Sequence, residues 1–123
     1  MTVYLGDTER RRLRHLGKER RLCCFDIVCN GAGGVTSVTE DDPGCGAADG
    51  GANGDLDITF PACPGGIALL SLESAAGTVT YAYFSALALA SGTGTVITGK
   101  AGVNTDPANG DIIHVEIWGT VVP

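Results

Sequence analysis

Positive charge almost vanishes after residue 21. Beyond Arg21 the only basic residue is Lys100, against eleven acidic ones. A body so poor in cations repels polyanions, which disfavours nucleic acid as its ligand. Long apolar runs are also missing. No window approaches the roughly 18 residues of a membrane span, and the charged N-terminal run gives way to Cys-Cys-Phe-Asp, too short and interrupted for a secretory signal. No Cys-x-x-Cys occurs, and His15 and His114 lie far in sequence from Cys23, Cys24, Cys29, Cys45 and Cys63. That removes the usual spacing of a structural zinc site. An odd number of cysteines rules out complete pairing within the chain. One Cys45–Cys63 disulfide is an alternative, but small buried hydrophobes made in a reducing cytoplasm are the favoured reading.

The glycine-rich segments around 31–34 and 92–94 match neither Gly-x-Gly-x-x-Gly nor Gly-Lys-Ser/Thr, and they lack the strand–helix setting of a phosphate loop. They read as turns. Asp55 and Asp57, with Glu40, Asp41 and Asp42, offer oxygens for a cation, but without the ordered spacing of a calcium loop, and a solvated acidic surface is the preferred reading. His114 is a poor candidate for a catalytic base, since a solvent-facing or interface role is far commoner. The expectation is a non-enzymatic protein with no metal and no cofactor.

What the chain does have is alternation. From Ile113, the residues Ile113, Val115 and Ile117 point one way and His114, Glu116 and Trp118 the other. That is a strand with one buried face, here taken as the central one. Cys23, Phe25, Ile27 and Cys29 form a second such face, and Leu56, Ile58 and Phe60 a third. Asn30-Gly31 marks a turn into a strand at Val35 to Thr39. Glu40 to Gly54 reads as a long acidic loop, and Ile67 to Leu72 as a strand buried on both faces. Thr78 to Phe84 and Gly94 to Thr98 complete the strands, with Thr2 to Leu5 a further short candidate. Ser85 to Ala90 is either a helical turn or a strand. Seven to nine short strands with turn signals at even intervals predict an all-β antiparallel sandwich, jelly-roll-like, over residues 22–123.

Residues 1–21 are set apart by charge. They carry seven of the eight basic residues, Arg10, Arg11, Arg12, Arg14, Lys18, Arg20 and Arg21, for a net charge of +4, whereas residues 22–123 carry −10. Gly17 argues against one long helix, so an extended or weakly helical arm that orders on contact is expected. Such an arm seeks an acidic surface; the plain alternative is a charged tail without a partner. Trp118, the only Trp, on the polar face of its strand with His114, predicts a homo-oligomer interface extended by Tyr81 and Tyr83. Burial of Trp118 under a second sheet of its own subunit is the competing reading.

The opening Met-Thr-Val-Tyr-Leu-Gly-Asp with its basic run, the Thr/Gly/Ala/Val-rich strands of 77–103, and the close from Asp106-Pro107-Ala108-Asn109-Gly110-Asp111 into Ile112 to Gly119 resemble small β-rich virion proteins of tailed bacteriophages, particularly capsid decoration (cement) proteins. The resemblance implies a homotrimer on the capsid exterior of a virion assembled in the host cytoplasm. Its partner would be the major capsid protein, contacted by the arm Arg10 to Arg21, with no membrane involved. Two alternatives remain: a tail- or fibre-associated attachment module using the 40–54 and 99–110 loops, and a stand-alone glycan- or cation-binding β-domain.

Overall fold

A computed structural model describes residues 19–40, 44–63 and 65–120. Their secondary structure is all-β: β1 (Glu19–Cys29), β2 (Val35–Glu40), β3 (Gly46–Asp49), β4 (Asp55–Thr59), β5 (Gly66–Glu73), β6 (Tyr81–Ala88), β7 (Thr93–Lys100), β8 (Val103–Asn104) and β9 (Ile112–Thr120). Two antiparallel sheets result. One has the order β2-β1-β9-β5; the other runs β3-β4-β7-β6, with β8 paired to β7.

The alternating segments meet between the sheets. Cys23, Phe25, Ile27 and Cys29 of β1 and Ile113, Val115 and Ile117 of β9 face Leu56, Ile58, Phe60 and Val96 from the second sheet, and all of these are buried. Strand β9 is interior to its sheet, flanked by β1 and β5, as its pattern predicts. A one-residue slip would turn this apolar set outward, so burial of one face fixes the register.

The turns follow their side chains. Asn30 Oδ1 accepts from the amides of Ala32 and Gly34 at 2.8 and 3.1 Å, closing the β1–β2 connection. Asp111 Oδ2 accepts from Ser74 Oγ and from the amide of Ala108, each at 2.8 Å, and so ties the loop before β9 to the end of β5. Gly54 has a φ of +69°, and a side chain there would collide with the Thr98 carbonyl. Only glycine meets both conditions. Between β7 and β8 the chain turns through Ala101, at a φ of 54° the one described non-glycine residue with positive φ.

Several sequence expectations change. Strand β5 is an edge strand, not one buried on both faces: Ala68, Leu70 and Leu72 pack on the core, but Ile67 and Leu69 are 46% and 51% exposed. The 40–54 loop contains β3, which pairs with β4 despite having no large apolar residue. The strand expected at Thr78 begins at Tyr81 and runs to Ala88, settling Ser85–Ala88 as strand with a bulge between Phe84 and Ala86. Strand β1 starts at Glu19, so Glu19–Arg21 belong to the sheet and pair with Trp118–Thr120. The strand proposed for Thr2 to Leu5, and the arm from Arg10 to Lys18, lie outside the described residues.

Candidate interaction surface

The outward face of the first sheet collects its chemistry by register. Across β1, β9 and β5, Cys24 pairs with Glu116 and Glu116 with Leu69; Asp26 pairs with His114 and His114 with Ser71. One row further, Trp118 lies between Arg21 and Ile67, and at the opposite end Ile112 lies between Val28 and Glu73. The result is a strip of three carboxylates and one imidazole, with apolar side chains at both ends. A shallow depression of about 280 Å³ lies in its middle, lined by Cys24, Asp26, Leu69, Ser71, His114 and Glu116 among others.

His114 is the hub. Its Nδ1 sits 2.6 Å from Asp26 Oδ1 on β1, and its Nε2 3.3 Å from Glu73 Oε1 on β5. The hydrogen bond with Asp26 raises the His114 pKa above its ordinary 6.5, partial burial lowers it, and the two carboxylate charges raise it further. Protonated, the ring donates to both carboxylates and links three strands. Ser71 is its cross-strand neighbour, but the second ring nitrogen is engaged by Glu73, which leaves the imidazole serving carboxylates rather than a hydroxyl nucleophile.

Trp118 stands on this outward face with His114 and Glu116, as the alternation predicts, and the second sheet packs against the opposite face. Its indole Nε1 donates to Glu116 Oε1. Tyr81 and Tyr83 do not extend the patch. They stand on β6, in the other sheet, with ring centroids 6.1 Å apart and planes inclined at 29°. The Tyr81 ring lies over Gly99, where a Cβ would collide with it. The four residues expected to form one interface therefore divide between two faces. Ile67 and Leu69, which sequence reasoning placed in the core, are the neighbours Trp118 and Glu116 actually have.

The remaining candidates are dispersed. Asp55 and Asp57 stand on the outward face of the second sheet, where Thr95 Oγ1 donates to Asp57 Oδ1 at 3.3 Å. Among the described residues, no three His, Cys, Asp or Glu side chains are placed to share a metal ion. Asp41 and Asp42 fall outside the described residues. Cys23, Cys29 and Cys63 are buried. Burial, and then the charge of Asp111, push the Cys29 thiol up to about 11. Lys100, the basic residue beyond the arm, donates to the carbonyl of Gly77 at 3.0 Å, away from the acidic strip. Of the basic arm, Arg20 and Arg21 lie within β1, where they pair with Gly119 and Trp118.

No protein-family model, characterised protein or solved structure matches the chain.

Proposed function

We propose that the chain is a non-enzymatic structural protein of a virion, attached to the outside of a capsid by its basic arm and reinforcing the shell. The observation that carries this reading is the division of charge: residues 1–21 hold a net +4 and residues 22–123 a net −10. An arm of one sign on a body of the other suits attachment to an acidic protein shell, because the arm attracts while the bodies repel one another in solution. A β-sandwich supports the reading as a body whose two paired sheets hold a fixed outer surface. The partner class, a major capsid protein, comes from the resemblance of the arm and the C-terminal strands to decoration proteins.

The test is binding of the full chain to purified particles. Replacing Arg10, Arg11, Arg12 and Arg14 by Gln should weaken attachment strongly, and salt should weaken the wild type far more than the variant. The number of copies per particle completes it: hundreds agree with a shell protein, whereas a handful places the chain on the tail. Undiminished attachment by the four-arginine variant overturns the proposed role of the arm.

A further inference from the structure

The strip on the outward face of the first sheet has an unbalanced charge. Asp26 and Glu73 contact His114 and Glu116 stands two residues along the same face, so even with a protonated imidazole these four side chains carry a net charge of −2. The same face exposes Ile67 and Leu69 beside Trp118. The body has one basic residue of its own beyond Arg21, and that residue, Lys100, is committed elsewhere. An acidic face with apolar side chains at its rim calls for a partner that is basic and carries apolar groups of its own.

The chain supplies such a segment at the right place. Residues 10–16 are Arg-Arg-Arg-Leu-Arg-His-Leu, four arginines and two leucines, followed by Gly17 and Lys18. Strand β1 begins at Glu19, opposite Thr120, and Arg21 pairs with Trp118; the segment therefore joins the sheet at the Trp118 end of the strip. Gly17, two residues before the strand, is where the chain most readily reverses direction. The strip from Trp118 to Ile112 is about 20 Å long at the usual strand rise of about 3.3 Å per residue. Seven extended residues span roughly 23 Å, so residues 10–16 match it in length as well as in charge.

We infer that residues 10–16 dock in extended form on the outward face of the first sheet of their own chain, with Leu16 on Trp118 and Ile67 and with Arg10, Arg12 and Arg14, which share its side of the segment, on Glu116, Asp26 and Glu73. A second copy of the chain supplying this segment, or covering Trp118 by direct packing, is the rival arrangement, and the experiment below separates it. The inference does not depend on the presence of a particle. Where a particle is present, docking holds the arm on the body until a stronger acidic surface displaces it.

The single Trp makes the test direct. In the full chain at low concentration, without particles, replacing Arg10, Arg11, Arg12 and Arg14 by Gln should shift Trp118 emission to longer wavelength and increase its quenching by acrylamide. Leu16→Ser should do the same without changing charge, whereas Leu13→Ser, on the opposite side of the extended segment, should leave the spectrum unmoved. Salt at about 1 M, where the Debye length falls to about 3 Å, should move the wild type toward the arginine variant. Circular dichroism establishes that each variant is folded. Unchanged emission and quenching in the folded arginine and Leu16→Ser variants overturn the inference. Protection of Trp118 that disappears on dilution, with sedimentation showing dissociation, also overturns it, because the covering group then belongs to another copy. Particle binding by the same arginine variant is scored separately, so loss of attachment with an unmoved Trp118 spectrum leaves the proposed function standing and removes only this inference.

Discussion

Ile117 and Ile67 are the same residue type, one row apart on neighbouring strands of one sheet, and they face opposite ways. Ile117 is fully buried between the sheets, whereas Ile67 is 46% exposed on the outside. Ile117→Ala removes three carbons from water-free surroundings and leaves a cavity, which costs about 2–5 kcal/mol. Ile67→Ala removes the same atoms from a half-wet site that solvent refills. Half of about 0.8 kcal/mol per methylene gives roughly 1 kcal/mol. The loss of strand propensity on going to Ala is common to both and largely cancels in the comparison. For a domain whose whole stability is of order 5–15 kcal/mol, the first change is severe and the second mild. Urea unfolding followed by far-ultraviolet circular dichroism reads the difference. With a slope of about 1–3 kcal/mol per molar urea, the midpoints should separate by around 1 M or more, that of Ile117→Ala being the lower. Equal midpoints would refute the facing of β5 and β9; a large loss at Ile67 alone would place the core on the other side of the sheet.

His114 gives a pH signature. Its pKa is raised in the folded state, so its contribution is fully present below the unfolded value of about 6.5 and is lost as pH rises through the higher folded value. The stability advantage of the wild type over His114→Gln should therefore shrink as pH rises from about 6.5 through the higher folded value, and Asp26→Asn should remove most of that dependence; a constant advantage as pH rises refutes the bridge. Cys29, buried and with its pKa pushed up to about 11, should resist iodoacetamide at neutral pH in the native protein and react once the chain is unfolded. Mass mapping checks this, and native labelling at the denatured rate would contradict it. Ala101→Asn should stabilise the β7–β8 turn by up to about 1 kcal/mol, because Asn tolerates the left-handed conformation better than Ala; an unchanged or lowered melting temperature refutes that reading of the turn.

The strands that sequence reasoning located correctly are those in which one face is apolar and the other polar. β1, β4 and β9 announce themselves because water and core demand opposite residues at alternate positions. β5 misleads for the same reason. Ile67 and Leu69 make its outward face as apolar as its inward one, and composition cannot distinguish a covering layer from an exposed edge. β3, Gly-Ala-Ala-Asp, has no pattern of its own and is a strand only because β4 offers it a ladder. Strand order is the larger gap. The sequence allows the strand of Tyr81 and Tyr83 as a neighbour of β9, yet the connection after β5 crosses to the other sheet. The partners of His114 were hidden likewise: Asp26 is 88 positions away and becomes a neighbour only through the β1–β9 register. The outward histidine was legible; its carboxylates were not.

The pairing of β1 with β9 also governs when the molecule can assemble. The first and last described strands are neighbours at the centre of one sheet, so the buried faces of β1 and β9 meet only after residues 112–120 have been made. Until then β1 exposes Phe25 and Ile27 with no β9 beside it, and the ladder that finally covers them must close a loop of more than eighty residues. Such distant pairing slows folding. Separations in the second sheet are smaller: β3–β4 and β6–β7 are hairpins, and the pairing of β4 with β7 spans residues 60–92 by way of β5 and β6. That sheet is therefore the natural template on which β1 and β9 converge, and a chain cut short before Ile112 loses both the strand between β1 and β5 and the Ile113, Val115 and Ile117 side chains that share a core with Leu56, Ile58 and Val96.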